Sequence, residues 1–325
     1  MTETKNTLNT DIRKVKVGVV GVGSLGQWHA RVYSELPGAE LAGVYDINAR
    51  RAQEIAARYN TRAFNDFNEL AERVEAASIA VPADKHHAVA MQMLARGVNL
   101  LVEKPIAVTT AEAEEMVALA RQTKLILQVG HQERFNPVMK FLESVIARPR
   151  FIEAHRLSPY PAPPLFGGKP RGTEVSVVLD LMIHDLEIIL HLVRAPVREI
   201  HAVGVPVLSL SEDIANARLS FENGCVANVT TSRISPESLR KIRVFQEDAY
   251  ISLDYQRQSG EIYRRQAGRI EKERVPIEKG NTLDMELASF IDCVRARSSP
   301  VVSGEWAAAA LKLAVDIRRH ICGQG

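Results

Sequence analysis

Asp180 and His184 lie four residues apart in Ser176–Val193, a stretch whose Leu179, Ile183, Leu186 and Leu190 recur at helical spacing. On a helix, side chains at i and i+4 meet. A carboxylate that orients one imidazole nitrogen leaves the other able to take a proton near neutral pH, which is the work of a general base. The same residues also suit a polar helix face carrying an ion pair. A metal reading lacks a third ligand of defined spacing.

Lys104 closes a second stretch, Asn99-Leu-Leu-Val-Glu-Lys-Pro105, in which an apolar run meets a charged pair and a proline that ends the strand. In a doubly wound sheet, ligands sit outside the C-terminal ends of strands, so Glu103 and Lys104 are placed to meet one. A charge pair capping a strand is the plainer alternative. Gly130-His-Gln-Glu-Arg-Phe-Asn-Pro137 ends another apolar run and puts Gln132, Arg134 and Asn136 at a junction between two halves of the chain.

The third piece is Gly21-Val-Gly-Ser-Leu-Gly26, a G-x-G-x-x-G between an apolar strand and a helix. Gly21 makes the turn, Gly23 lets backbone approach a pyrophosphate, and Gly26 allows close packing, while Ser24 and Leu25 open the helix whose amides face the phosphates. Asp46 ends the next strand at the distance where a carboxylate meets ribose hydroxyls. It repels a 2′-phosphate, so NAD is expected rather than NADP, although Arg50 and Arg51 lie nearby. Val81 and Pro82 end the following strand and border the cofactor. His86 caps the next helix or touches the phosphates.

The elements that must position these groups fall into two halves. From Val15 to about Gly130, apolar runs (Val15–Val20, Leu41–Tyr45, Ala77–Val81, Asn99–Val102, Leu125–Val129) alternate with helical patterns, the signature of βαβ units and a parallel sheet. After Asn136-Pro137, an N-cap followed by the residue suited to the first helical position, the pattern changes. A strand at Arg150–Leu157 leads to a long Pro/Gly-rich loop, Ser158–Gly172, then to alternating antiparallel strands between Arg198 and Ile277 and two closing helices. The expected fold is α/β: an N-terminal Rossmann doubly wound parallel sheet (1–134) plus a C-terminal α/β domain with a large open antiparallel sheet (135–325).

Composition narrows the class. The 325 residues carry 41 Lys+Arg against 39 Asp+Glu, interspersed, which gives no nucleic-acid footprint. No apolar run approaches the ~20 residues that span a bilayer, so no membrane partner is expected. Three separated cysteines with no C-x-x-C spacing point to a reducing, cytoplasmic setting.

Taken in order, these motifs resemble the Gfo/Idh/MocA oxidoreductase family: the glycine loop, Glu103-Lys104-Pro105, Arg134-Phe135, and Asp180-x-x-x-His184 on a C-terminal-domain helix. The resemblance implies that Lys104 and His184 form a catalytic pair with Asp180 beside them, and that Gln132, Glu103 and Lys104 lie near the nicotinamide. It implies dehydrogenation of a secondary hydroxyl of a sugar. Within the family the chain is most like those members that oxidise UDP-N-acetylglucosamine at C3 for the 3-amino sugar of some lipid A. A diphosphate would suit Arg156, Lys169 and Arg171, with Arg134 and Asn136 as further substrate contacts. A homodimer or homotetramer is implied. Other sugar or inositol dehydrogenases, a redox-neutral NAD-dependent glycosidase and a non-catalytic NAD-binding regulator are the alternatives. One departure from the family is Thr173-Glu-Val-Ser176 where many members carry a glycine-rich run before the Asp-His helix.

Overall fold

The computed structural model describes residues 13–162 and 173–323. Elements follow one another as β1 (Val15–Val20), α1 (Gly26–Glu35), β2 (Ala39–Tyr45), α2 (Ala49–Arg58), β3 (Ala63–Phe64), α3 (Phe67–Ala71), β4 (Ala76–Ile79), α4 (His86–Ala95), β5 (Asn99–Glu103), α5 (Thr110–Thr123) and β6 (Leu127–Gly130). Then come α6 (Pro137–Val145), β7 (Phe151–Leu157), α7 (Ile183–Val193), β8 (Val197–Val205), β9 (Ile214–Phe221), β10 (Val226–Ser232), β11 (Leu239–Phe245), β12 (Ala249–Asp254), β13 (Ser259–Gln266), β14 (Arg269–Arg274), α8 (Thr282–Ala296) and α9 (Gly304–Cys322).

Strands β1 to β6 form a six-stranded sheet in the order β3-β2-β1-β4-β5-β6. Its β1–β2, β1–β4, β2–β3 and β4–β5 pairs are parallel. Val17, Val19 and Val20 of β1, Ile79 of β4 and Leu100, Leu101 and Val102 of β5 have no exposed surface, as strands covered on both faces require. The short β3 and α3 have no counterpart in the sequence reading: two strand residues and five helical ones are below the length at which periodicity declares itself.

The remaining strands form an eight-stranded sheet, β14-β13-β12-β11-β7-β10-β9-β8. It is antiparallel except for β7 and β10, which run parallel, Phe151 opposite Val226 through Leu157 opposite Ser232. Ile152, Ala154 and Arg156 of β7 are buried while Phe151, Glu153, His155 and Leu157 keep partial exposure, so one face is packed and the other open. On that open face Phe151, Phe245, Tyr250 and Tyr263 sit in cross-strand register as a ladder, with successive ring centroids 5.5, 4.6 and 5.1 Å apart. The β9–β10 turn at Glu222-Asn-Gly224 closes with Gly224 at φ +82°, a left-handed conformation that glycine adopts without strain.

Two compact units interleave in sequence. One takes the described residues up to Val102, then Leu119–Gln128 and Leu287–Pro300; the other takes Glu103–Ala118, Val129–Glu286 and the described residues from Val301. Lys104 and the segment that follows β6 therefore pack within the second unit, together with β7 and α7. None of the helices in the described residues is long and apolar enough to cross a membrane.

Candidate active site

In the first unit the glycine loop is built from backbone. Gly21 holds φ +85°, and its N–H donates to the Tyr45 carbonyl at 2.7 Å. A Cβ on Gly26 would lie 1.8 Å from the Gly21 carbonyl oxygen, whereas one on Gly23 would meet nothing within 4 Å. Gly23, Ser24 and Leu25 are exposed at the start of α1. Asp46 accepts from the Val22 N–H at 2.8 Å and the Asn48 N–H at 2.9 Å. These residues fit a dinucleotide: a tight turn, an open surface for the pyrophosphate, amides at a helix start, and a carboxylate fixed at the end of β2. Arg51 gives its donors to the Val22 carbonyl, Gln27 and Glu54, so its guanidinium is committed within the unit. The His86 ring donates from Nε2 to the Val81 carbonyl at 3.0 Å, which ties the turn after β4 to α4.

In the second unit the site is built from side chains. The Lys104–Pro105 peptide is cis. Lys104 Nζ donates to Asp180 Oδ1 at 2.8 Å and to the Asp180 carbonyl at 2.7 Å. The expected Asp180–His184 pairing is absent from this arrangement, and the reason is local geometry. Val178–Met182 forms a π turn, and only from Ile183 is the helix regular. The wider turn breaks the i,i+4 alignment, as π-bulges at functional sites do. Asp180 therefore meets Lys104.

His184 Nδ1 is buried without a hydrogen-bond partner, and its ring packs edge-to-face on His131, centroids 5.5 Å apart. Burial first, then the positive charges of Lys104 and Arg156, hold the His184 pKa well below the ordinary histidine value. The ring is neutral at pH 7, the form that accepts a proton. Lys104 has three ammonium protons and two are engaged, leaving one for a ligand oxygen.

Behind this pair lies a buried charged layer. Arg156 donates to Asp185 through Nε at 2.7 Å and Nη2 at 3.2 Å, and to Glu133 through Nη1 at 3.1 Å. Asn136 caps α6 through Val138 N–H and donates to Glu133 and to the Tyr255 carbonyl. Arg134 sits 3.5 Å from both Glu187 and Glu143. Glu187 is 1% exposed, and burial raises its pKa to about 7. Arg156, Arg134 and Asn136, expected at the substrate, thus lie in the interior with protein partners. Lys169 and Arg171 fall outside the described residues. Glu103 is buried as the last residue of β5, where a Cβ on Gly130 would come 3.1 Å from its carboxylate, and Gln132 opens the short helical turn after β6.

Sequence reasoning passed over His131, Glu133, Asp185 and Glu187 as individual site residues. For His131 the signal was there: it is the first polar side chain after an apolar strand. The three acids carry none, because the arginines that pair with them lie 23 or more residues away in sequence. Among the described residues no group of three or more His, Cys, Asp or Glu side chains is placed to hold a metal ion.

Residues 15–131 match the family model described as an oxidoreductase family with an NAD-binding Rossmann fold, and residues 142–252 match the GFO/IDH/MocA C-terminal domain. UDP-N-acetylglucosamine 3-dehydrogenase of Acidithiobacillus ferrooxidans is 36% identical over 94% of this chain and 96% of its own. The chain belongs to the Gfo/Idh/MocA oxidoreductase family. The solved structure of that A. ferrooxidans enzyme superposes with a TM-score of 0.88 over 95% of this chain and 98% of the other. The scyllo-inositol 2-dehydrogenase (NAD(+)) of Bacillus subtilis is 25% identical over 89% of each chain. The chain is thus an NAD-dependent dehydrogenase with a Rossmann half and an antiparallel-sheet half.

Proposed function

We propose that the protein oxidises the C3 hydroxyl of UDP-N-acetylglucosamine, with Lys104 and His184 as the catalytic residues. The observation that carries this reading is the Lys104–Asp180 pair in the same unit as His184, which burial and nearby cations keep neutral, on a chain 36% identical to an enzyme named for that reaction. Bound NAD supplies the hydride acceptor. His184 takes the hydroxyl proton at Nε2, since Nδ1 is walled in. Lys104 Nζ donates its remaining proton to the same oxygen and stabilises the negative charge that develops there; one such preorganised donor is worth about 3 kcal/mol. Asp180 fixes the ammonium from two sides, so the donor needs no reorganisation as charge appears.

The reading also includes a homo-oligomer, supported by the aromatic ladder on the open sheet face, and a cytoplasmic setting, supported by three unpaired cysteines. The decisive experiment is NADH formation with UDP-N-acetylglucosamine against free N-acetylglucosamine, glucose 6-phosphate and inositol. Faster turnover of the sugar nucleotide by tenfold or more is expected. Preference for an unphosphorylated polyol would overturn the substrate, and no NADH with any of them would point to the redox-neutral alternative.

A further inference from the structure

A second imidazole stands against the proposed base. His131 follows β6 directly and is 1% exposed. Its backbone is fixed on both sides, N–H to the Val129 carbonyl at 2.8 Å and carbonyl from the Arg134 N–H at 3.0 Å. The ring meets that of His184 at 79°, with 5.5 Å between centroids. Three buried nitrogens on these two rings have no hydrogen-bond partner: both of His131 and Nδ1 of His184.

Buried polar atoms without partners are costly, so a cluster of three in one place asks for a reason. A general-base histidine needs something to hold its other nitrogen, and the carboxylate that the sequence offers, Asp180, is bound to Lys104 instead. Two imidazoles at this centroid separation come within N–H···N reach when their nitrogens turn toward each other. Such an acceptor must be neutral. Burial, together with the positive charges of Lys104, Arg134 and Arg156, outweighs Glu103 and holds the His131 pKa down to about 3.

We propose that His131 is a positioning residue that accepts the His184 Nδ1 proton as a hydrogen bond, fixing the tautomer and ring orientation that present Nε2 to the substrate hydroxyl. The inference rests on His184 being the base. It accounts for a histidine here rather than an apolar ring of the same shape, which would fill the space without leaving nitrogens unpaired.

The test compares wild type, H184A, H131F, H131N and H131Q for kcat and KM toward NAD and the sugar nucleotide, with NAD binding and thermal melting as checks of folding. H131F keeps the ring and removes the acceptor; kcat is expected to fall on the order of 10- to 100-fold, as for a misaligned catalytic group, with KM unchanged. H131N or H131Q restores an acceptor and should recover much of the loss. Full kcat in H131F, a rise in KM alone, or no rescue by either amide would overturn the proposal. If H184A itself keeps wild-type turnover, the reading of the base fails first, and the two failures are told apart. ¹⁵N NMR of the wild-type ternary complex gives a further check that needs no variant to fold: Nδ1 of His184 carrying the proton is expected, and Nδ1 unprotonated would overturn the role.

Discussion

The glycine loop of the first unit and the charged centre of the second solve the same problem, holding polar groups ready for a ligand, by opposite means. The loop uses backbone: Gly21 at φ +85°, Gly26 with no room for a Cβ, and the exposed residues Gly23, Ser24 and Leu25 at the helix start. Its parts are close in sequence, and the carboxylate beside it, Asp46, is held by two backbone N–H groups. The centre uses side chains from segments far apart in sequence, after β5, after β6, on β7 and at the start of α7, and holds them by ion pairs at 2.7 to 3.2 Å. A backbone site tolerates side-chain change almost anywhere except at its glycines. A side-chain site depends on each partner, because removing one leaves a buried charge uncompensated.

The largest effect should therefore come from the layer behind the chemistry. Asp185→Ala strands Arg156, 5% exposed, with only Glu133 as a direct partner. A loss of roughly 3–5 kcal/mol in urea unfolding is expected. The replacement of both partners, Arg156→Met with Asp185→Leu, should recover most of that stability while turnover stays low. A single variant as stable as wild type would show that the layer is not held by its charges and would erase the contrast with the glycine loop.

Next come the two residues proposed as catalytic. Lys104→Ala and His184→Ala should each reduce kcat on the order of 10²- to 10³-fold, the range for loss of one preorganised donor, while NAD affinity measured by fluorescence titration is kept. The pH profile sharpens the point. As the proposed base His184 must be deprotonated to act, and its lowered pKa means that kcat/KM is expected to hold as pH falls below the ordinary histidine value, with the acid limb lying well under pH 6.5. The charges facing it are Lys104, Arg156 and Arg240, with His131 beside it. In Lys104→Ala one of those cations is gone, so the limb should move to higher pH; an unmoved limb would separate the lysine from the base.

Glu187 gives a smaller, pH-dependent effect. Its folded pKa of about 7 lies above the ordinary 4.5, so between those values the folded chain binds more protons than the unfolded one. The stabilisation that follows is complete below about pH 4.5 and is lost as pH rises through 7, on the order of 3 kcal/mol over the window. Stability relative to Glu187→Gln, followed by urea unfolding at pH 5, 6, 7 and 8, should fall from pH 5 to 7 and level off by pH 8. A flat difference would place Arg134, 3.5 Å away, in full compensation of the charge.

What could be read in the sequence follows the same division. The alternation of five of the six strands with helices, the glycine loop and the Asn136 cap are local signals and lie where expected, whereas the two-residue β3 is too short to give one. The strand ends were off by two residues in places, as at Ala39 and Ile79, because strands fade without a sharp stop. Asp180 and His184 were legible as chemistry and not as geometry: nothing in Val178–Met182 announces a π turn, yet that turn decides whether the carboxylate meets the imidazole or the ammonium. Arg156 shows the limit on charge. An arginine beside a long loop reads as a ligand contact, and only the fold reveals that Asp185 and Glu133 face it.

The smallest predicted effect lies in the backbone-built region. Asp46→Ala removes a carboxylate that takes two backbone N–H groups at 2.8 and 2.9 Å, and with it the charge that would meet the ribose hydroxyls. Because the glycines and the helix start remain, NAD binding should weaken by only about tenfold, or ~1.4 kcal/mol, and NADP binding should strengthen relative to NAD as the repulsion toward a 2′-phosphate disappears. Arg51 stays tied to Val22, Gln27 and Glu54 and so should not by itself turn the site into an NADP site. Isothermal titration of both dinucleotides into the variant measures this directly. Complete loss of NAD binding in Asp46→Ala would mean that the loop, like the catalytic centre, depends on a single charged side chain.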